Sequence, residues 1–111
     1  MTQDRFRLLH IRDAAEKIIQ CCAMGRSEFI SNWMAQDAVA RNLEIIGEAV
    51  KSLSIEIRER HPHIPWRQIA GMRNRAIHEY FRLDPSEVWN VAQHHVPPLL
   101  EEVQKILGHT E

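Results

Sequence analysis

Between Met34 and Leu53 the chain carries one apolar arc wide enough to demand cover from several sides. Wound as a helix at about 100° per residue, it places Val39, Leu43, Ile46, Val50 and Leu53 within about 80°. Ala38, Ile45 and Ala49 broaden that face to roughly 160° at the same winding, while Asp37, Arg41, Glu44, Glu48 and Lys51 take the opposite side. A helix of this kind buries itself among other helices, so the segment points to a bundle. Asn42 falls inside the arc, where its amide needs an internal partner.

The rest of the chain has the same helical period. A first helix is expected from about Asp4, a candidate N-cap, to Cys22. Its stripe is Phe6, Leu9, Ala14, Ile18 and Cys22, widened by Leu8, Ile11, Ala15 and Ile19. Met24-Gly25-Arg26-Ser27 breaks it, and Ser27 and Ser31 are candidate caps for a short turn or for the next long helix. Ser54 to Arg60 reads as a short helix. His61-Pro62-His63-Ile64-Pro65 then forces extended backbone, because residues preceding proline avoid the α region. A third helix is expected from Pro65 to about Tyr80, and Asp84-Pro85-Ser86-Glu87 supplies a capping box for a fourth. That last helix carries Val88, Val91, Ala92 and His95. Pro97-Pro98 is expected to kink or restart it before Leu99, Leu100, Val103, Ile106 and Leu107 finish it ahead of Gly108. There are no repeats and no strand patterns. The expected architecture is all-α: residues 1–111 as one antiparallel four-helix-type bundle with short extra helical segments.

Composition narrows the function classes. At 111 residues and 13.0 kDa the chain fits one domain, and 44% apolar with 26% charged residues is an ordinary globular balance. No apolar run approaches the roughly 20 residues that a membrane helix needs. The start, MTQDRFRLLH, lacks the basic-then-apolar design of a secretion signal, so the expected location is the cytoplasm. Cys21 and Cys22 are adjacent and unaccompanied, which leaves neither a disulfide framework nor a zinc site and makes them core thiols. His61 and His63, two apart on an extended stretch, do not make a metal site, and no cofactor is expected.

Fourteen basic against fifteen acidic residues give a net charge of −1, yet the charge is unevenly placed. Between Ile57 and His78, Arg58, Arg60, Arg67, Arg73 and Arg75 face Glu59 alone, a local +4 that leaves −5 for the remainder. The segment is either a solvated basic face or a grip for phosphates. On a straight third helix, Trp66, Ile69, Ala70, Ala76, Ile77 and Tyr80 share one face with Arg73 in its middle. A lone arginine there is costly unless it is paired with a carboxylate or reaches a ligand. His78 lies five residues on, about 140° around the helix, beside Asn74 and Gly71. The guanidinium and the imidazole therefore diverge on one helix and converge only if the helix frays or two copies meet.

The stretch GMRNRAIHEYF resembles the signature of the HEPN superfamily, an Arg followed by a polar residue and then a His. The pattern Arg73-Asn74-x-x-x-His78-x-Tyr80 is similar to its HepT-like branch, and RNLEIIGEAVKSL, RERHPHIPWRQIAGMRNR and VPPLLEEV extend the likeness over nearly the whole chain. The resemblance implies the toxin of a toxin–antitoxin system: a metal-independent endoribonuclease acting on RNA, not DNA, as a homodimer with a composite cleft. On that reading the 2′-hydroxyl of RNA attacks the adjacent phosphorus and leaves a 2′,3′-cyclic phosphate. His78 handles the proton, Arg73 opposes the phosphorane charge, Asn74 orients, and Arg67 and Arg75 hold the RNA backbone. Tyr80 is either a core aromatic or, as the resemblance implies, the residue to which a minimal nucleotidyltransferase antitoxin attaches AMP. A noncatalytic HEPN partner of a nucleotidyltransferase, binding nucleotide or RNA without cutting, is the alternative from another class.

Overall fold

A computed structural model describes residues 2–77 and 84–109. The described residues form seven helices and no strand: α1 (Thr2–Cys22), α2 (Arg26–Ile30), α3 (Trp33–Lys51), α4 (Ile55–Arg60), α5 (Trp66–Ala70), α6 (Met72–Ile77) and α7 (Pro85–His109). The expected all-α bundle is what the chain forms. Its third member is not one helix, however, because α5 and α6 are short pieces broken at Gly71.

A few polar ties fix the topology. Asp4, at the start of α1, accepts the Ser54 N–H (2.9 Å) and hydroxyl (2.6 Å) just beyond the end of α3, so α1 and α3 are antiparallel. Arg26, after α1, donates to Ser86 Oγ at the start of α7 (3.2 Å), and the rings of Phe29 and Trp89 pack at 5.3 Å, so α7 also opposes α1. His63 ahead of α5 meets Glu102 late in α7 (2.7 Å), whereas Arg75 in α6 pairs with Glu87 in the first turn of α7. The α5–α6 stretch therefore runs back along α7, completing an up-down-up-down order.

The core follows the helical periods. In α1, Leu8, Ile11, Ala15, Ile18 and Cys22, at spacings of three and four, are buried, as is Ala14. Phe6 (56% exposed) and Ile19 (39%) lie outside this stripe, which corrects the expectation that they belong to it. In α3, Val39, Leu43, Ile46 and Val50 are sealed, and Leu53 stays buried although the helix ends at Lys51. Asn42 resolves its amide locally, donating to the Ala38 carbonyl one turn back (2.8 Å).

The caps differ from those expected. Asp4 lies inside α1 and serves another helix: it orients Ser54, whose hydroxyl accepts the Ile57 N–H (3.2 Å) and caps α4. Asn32, not Ser31, caps α3 by accepting the Ala35 N–H (3.0 Å), and Ser31 closes α2 instead. Gly25, not Ser27, takes the N-cap of α2 at φ +91°, a left-handed conformation that favours glycine. Asp84 caps α7 as expected, accepting the Glu87 N–H (3.3 Å).

Pro97 and Pro98 sit inside a continuous α7 rather than restarting it. An interior proline costs about 3 kcal/mol, but burying one large aliphatic side chain returns about 1.5–3 kcal/mol. Val88, Val91, Val96, Leu99, Val103, Ile106 and Leu107 are all buried along this helix, so burial outweighs the lost hydrogen bonds. The His94 carbonyl, with proline at both i+3 and i+4, meets no backbone donor of the usual helical pattern, and it belongs to an exposed residue. Cys21 and Cys22 are free thiols; Cys22 is buried, and burial pushes its pKa up.

Asp4 is the buried acidic residue of the described core. Replacing it (Asp4→Ala) orphans the Ser54 N–H and loosens the α4 cap, which is expected to destabilise the bundle by about 1–3 kcal/mol. Thermal unfolding should show a midpoint several degrees lower, whereas Asp13→Ala on the exposed face of the same helix should leave it nearly unchanged.

Candidate functional site

Two anchors locate the segment that carries the sequence motif. At its beginning, the indole N–H of Trp66 is shared between the carbonyls of Arg58 (3.2 Å) and His61 (3.0 Å), tying α5 to the end of α4. The buried stripe then runs Trp66, Ile69, Met72, Ala76, at spacings of three, three and four. Arg73 sits one residue to the side of that stripe and is half-buried, while Ile77 is exposed (43%). This corrects the straight-helix winding that put Arg73 at the centre of an apolar face. Met72 occupies the core position, and the arginine is free to lie along the surface of α3.

The second anchor is a close helix crossing. At Gly47 in α3 a Cβ would stand 2.6 Å from both the Cβ and the backbone nitrogen of Arg73, and 3.0 Å from the Ala70 carbonyl oxygen. Only glycine admits α6 to this depth. The crossing places Arg73 next to Glu48, whose Oε1 lies 2.9 Å from Nε of the guanidinium. That Nε is shut off from solvent and makes no aligned hydrogen bond among the described residues, so the contact is one of charge. On its other side Arg73 Nη1 donates to Asn74 Oδ1 (3.1 Å). Of the two readings open for Arg73, a carboxylate partner is therefore present, but it stands at the surface with both side chains partly exposed.

Two other arginines of the basic segment are also paired. Arg75 pairs with Glu87 of α7, and Arg60 with Glu56 one turn back (3.3 Å). Arg67 is exposed on α5. Three of the five arginines thus stand against carboxylates from α3, α4 and α7. His95, on the neighbouring face of α7, has its pKa lowered by burial first, then by the charges of His94 and Arg75, which favours the neutral ring. His61 and His63 stand with ring centroids 6.2 Å apart, and His63 is engaged by Glu102. Among the described residues no cluster of three or more His, Cys, Asp or Glu could hold a metal ion, and no helix is long and apolar enough to cross a membrane. His78 and Tyr80 lie outside the described residues.

The structure thus brings together Arg73 and Asn74 directly, sets Arg75 on the α7 side of the same short helix, and leaves Arg67 apart on α5. Sequence reasoning missed Gly47, Glu48 and Glu87. An isolated glycine inside a strong helical pattern was a readable sign of close packing, since it costs about 1 kcal/mol against alanine. Glu48 carried no such sign, because a glutamate on the polar face of a helix looks like any solvated residue.

The fold is thus an all-α bundle that seats an arginine at a glycine crossing beside an amide, with Arg75 on the same helix. Comparison with known proteins gives the class: the chain belongs to the ribonuclease HepT-like family, whose model matches residues 11–106. It is similar to "Putative RNase MJ0125" of Methanocaldococcus jannaschii, with 46% identity over 88 residues, 79% of this chain and 76% of the relative. It is also similar to "Putative RNase TTE0752" of Caldanaerobacter subterraneus subsp. tengcongensis, 39% identical over 108 residues and 96% of each chain. "Probable ribonuclease HepT" of Thermococcus cleftensis is 39% identical over 79 residues, 71% of this chain and 72% of that one. No solved structure matches.

The crossing makes a sharp prediction. Exposed helical glycines usually tolerate alanine with a gain in stability, but Gly47→Ala drives a methyl into the Arg73 backbone. It should destabilise by about 1–3 kcal/mol in urea unfolding, as overpacking does, and displace α6. Gly108→Ala, exposed near the end of α7 with nothing within 4 Å, should be neutral to slightly stabilising by the same measurement.

Proposed function

We propose that this chain is the cytoplasmic toxin of a toxin–antitoxin system, a homodimeric, metal-independent endoribonuclease silenced by adenylylation of Tyr80. The observation that carries this reading is the seat of Arg73: a guanidinium pinned against α3 at Gly47, partly exposed, in a member of a ribonuclease family.

The chemistry comes from the RNA itself. The 2′-oxygen attacks the adjacent phosphorus as its proton passes to His78; the P–O5′ bond breaks, and the leaving 5′-oxygen is protonated. The products are a 2′,3′-cyclic phosphate and a free 5′-hydroxyl. An imidazole with a pKa near ~6.5 gives or takes that proton at neutral pH. Arg73 opposes the charge that builds on the phosphorane oxygens. Asn74 steadies the guanidinium through its amide oxygen, which leaves its N–H groups for phosphate. Arg67 and Arg75 add sequence-independent backbone attraction, Arg75 only as RNA competes with Glu87. In a dimer, Arg73 of one protomer serves with His78 of its partner, which reconciles their divergence on one helix. The noncatalytic reading uses the same arginine for binding alone, and the kinetic test separates the two.

Light scattering should give about twice the 13.0 kDa chain mass. Arg73→Ala and His78→Ala should each abolish RNA cleavage with little change in the unfolding midpoint, and cleavage by the parent chain should persist in EDTA and leave cyclic-phosphate ends. Cutting by the His78→Ala protein, or arrest by chelation, refutes the mechanism; RNA binding without cutting by the parent chain selects the noncatalytic reading.

AMP on Tyr80 would bring a phosphodiester to the Arg73 fork and an adenosine across the cleft, so that inhibition needs no change of fold. With a minimal nucleotidyltransferase and ATP, intact-mass spectrometry should show one or more AMP units on the parent chain and none on Tyr80→Phe. Tyr80 is the single tyrosine of the chain, so AMP on the variant defeats the assignment.

A further inference from the structure

We propose that Glu48 is a positioning residue for the reaction: it holds the Arg73 guanidinium in the orientation that receives the scissile phosphate. The inference rests on the ribonuclease reading and extends it to a residue on a different helix from the motif.

Three contacts define the hold. The Gly47 crossing fixes the Arg73 backbone and Cβ. The Glu48 carboxylate lies 2.9 Å from Nε, at the stem of the fork, and Asn74 Oδ1 takes Nη1 at its tip. Among the described residues, Nη2 is the arm without such a tie. A flexible arginine anchored at stem and tip presents that arm in a restricted direction, and the cost of freezing the side chain is met before RNA arrives.

Energetics say what this pair is for. Glu48 is 54% exposed and the arginine 37%, and exposed pairs contribute only about 0–1 kcal/mol to stability. Holding the fold together is therefore not its main effect. A negative charge at 2.9 Å also weakens the pull of Arg73 on distant phosphates. Glu48 thus lowers ground-state attraction for RNA while orienting the group that acts in the transition state, which favours turnover over tight binding.

Two measurements test this with the full-length chain. The first reads the Arg73 Nε–H resonance by ¹H–¹⁵N NMR, assigned through its loss in Arg73→Lys. Glu48→Gln should shift it and speed its exchange with solvent. The second is RNA cleavage: Glu48→Gln and Glu48→Ala should lower kcat about tenfold or more, the scale of a misaligned catalytic group, with KM unchanged or reduced. Glu48→Asp should recover part of kcat. An Nε–H signal indifferent to Glu48→Gln overturns the proposal whether or not the chain cuts RNA, as does an unchanged kcat in an active enzyme. A shifted signal in a parent chain that cuts no RNA overturns the ribonuclease reading instead, and the catalytic consequence with it.

Discussion

The close approach of α6 to α3 at Gly47 is the constraint on which the candidate site depends. Helices carrying side chains at their contact keep their axes about 8–10 Å apart, and the missing Cβ lets the backbone of Arg73 come closer than that contact would otherwise allow. The glycine costs α3 about 1 kcal/mol of helix propensity. Val39, Leu43, Ile46 and Val50, fully buried on the same helix, offset this several times over at about 1.5–3 kcal/mol each. The strength of the α3 core thus permits the weak point that positions the arginine.

The fold was legible because α1, α3 and α7 bury stripes at regular helical spacing, and burial is what periodicity encodes. Edges of stripes were less legible. Phe6 and Ile19 continue the apolar composition of α1 yet face solvent, since composition does not say where a neighbouring helix stops covering. Caps were misread for a related reason. Asp4 has the chemistry of an N-cap, but its carboxylate is spent 50 residues away on Ser54, a choice made by the antiparallel packing of α1 on α3. Pro97 and Pro98 break a helix by local rules and fail to do so here because buried side chains lie on both sides of them. In each case a long-range contact overrode a local preference.

The site was legible in part. The motif named Arg73 and Asn74 along with His78 and Tyr80, which lie outside the described residues; the basic segment added Arg67 and Arg75, and the structure gives the four described residues distinct surroundings. Counting charges along the chain produced a basic segment, whereas in space Glu48, Glu56 and Glu87 stand against Arg73, Arg60 and Arg75. Those carboxylates come from segments that look acidic or neutral on their own. A sum over a sequence window cannot see Glu48 and Glu87, because those pairings are made by the bundle, whereas Glu56 merely lies one residue outside the window. The surface around Arg73 and Arg75 is accordingly less positive than the window suggests, and on the proposed function Arg75 meets phosphate only by exchange with Glu87.

That exchange would bear on how the segment carrying Arg73 and Arg75 is held. Broken off at Gly71, α5 has five residues, far below the roughly 12–15 at which an isolated helix becomes marginal, so it has no independent stability and cannot by itself place α6. Their placement comes from outside: Trp66 on the carbonyls of Arg58 and His61, His63 on Glu102, Gly47 under Arg73, and Glu87 on Arg75. A long helix would fix the register of Arg73 by its own hydrogen bonds and tolerate changes in its neighbours. Here the register is borrowed from α3 and α7, so the orientation of the guanidinium answers to residues that belong to no motif. The same dependence makes the segment responsive: a ligand that replaces Glu87 as the partner of Arg75 acts directly on a tie that places α6. Weak surface ion pairs suit this role, since a pair worth about 0–1 kcal/mol can be displaced by phosphate at little cost to the fold.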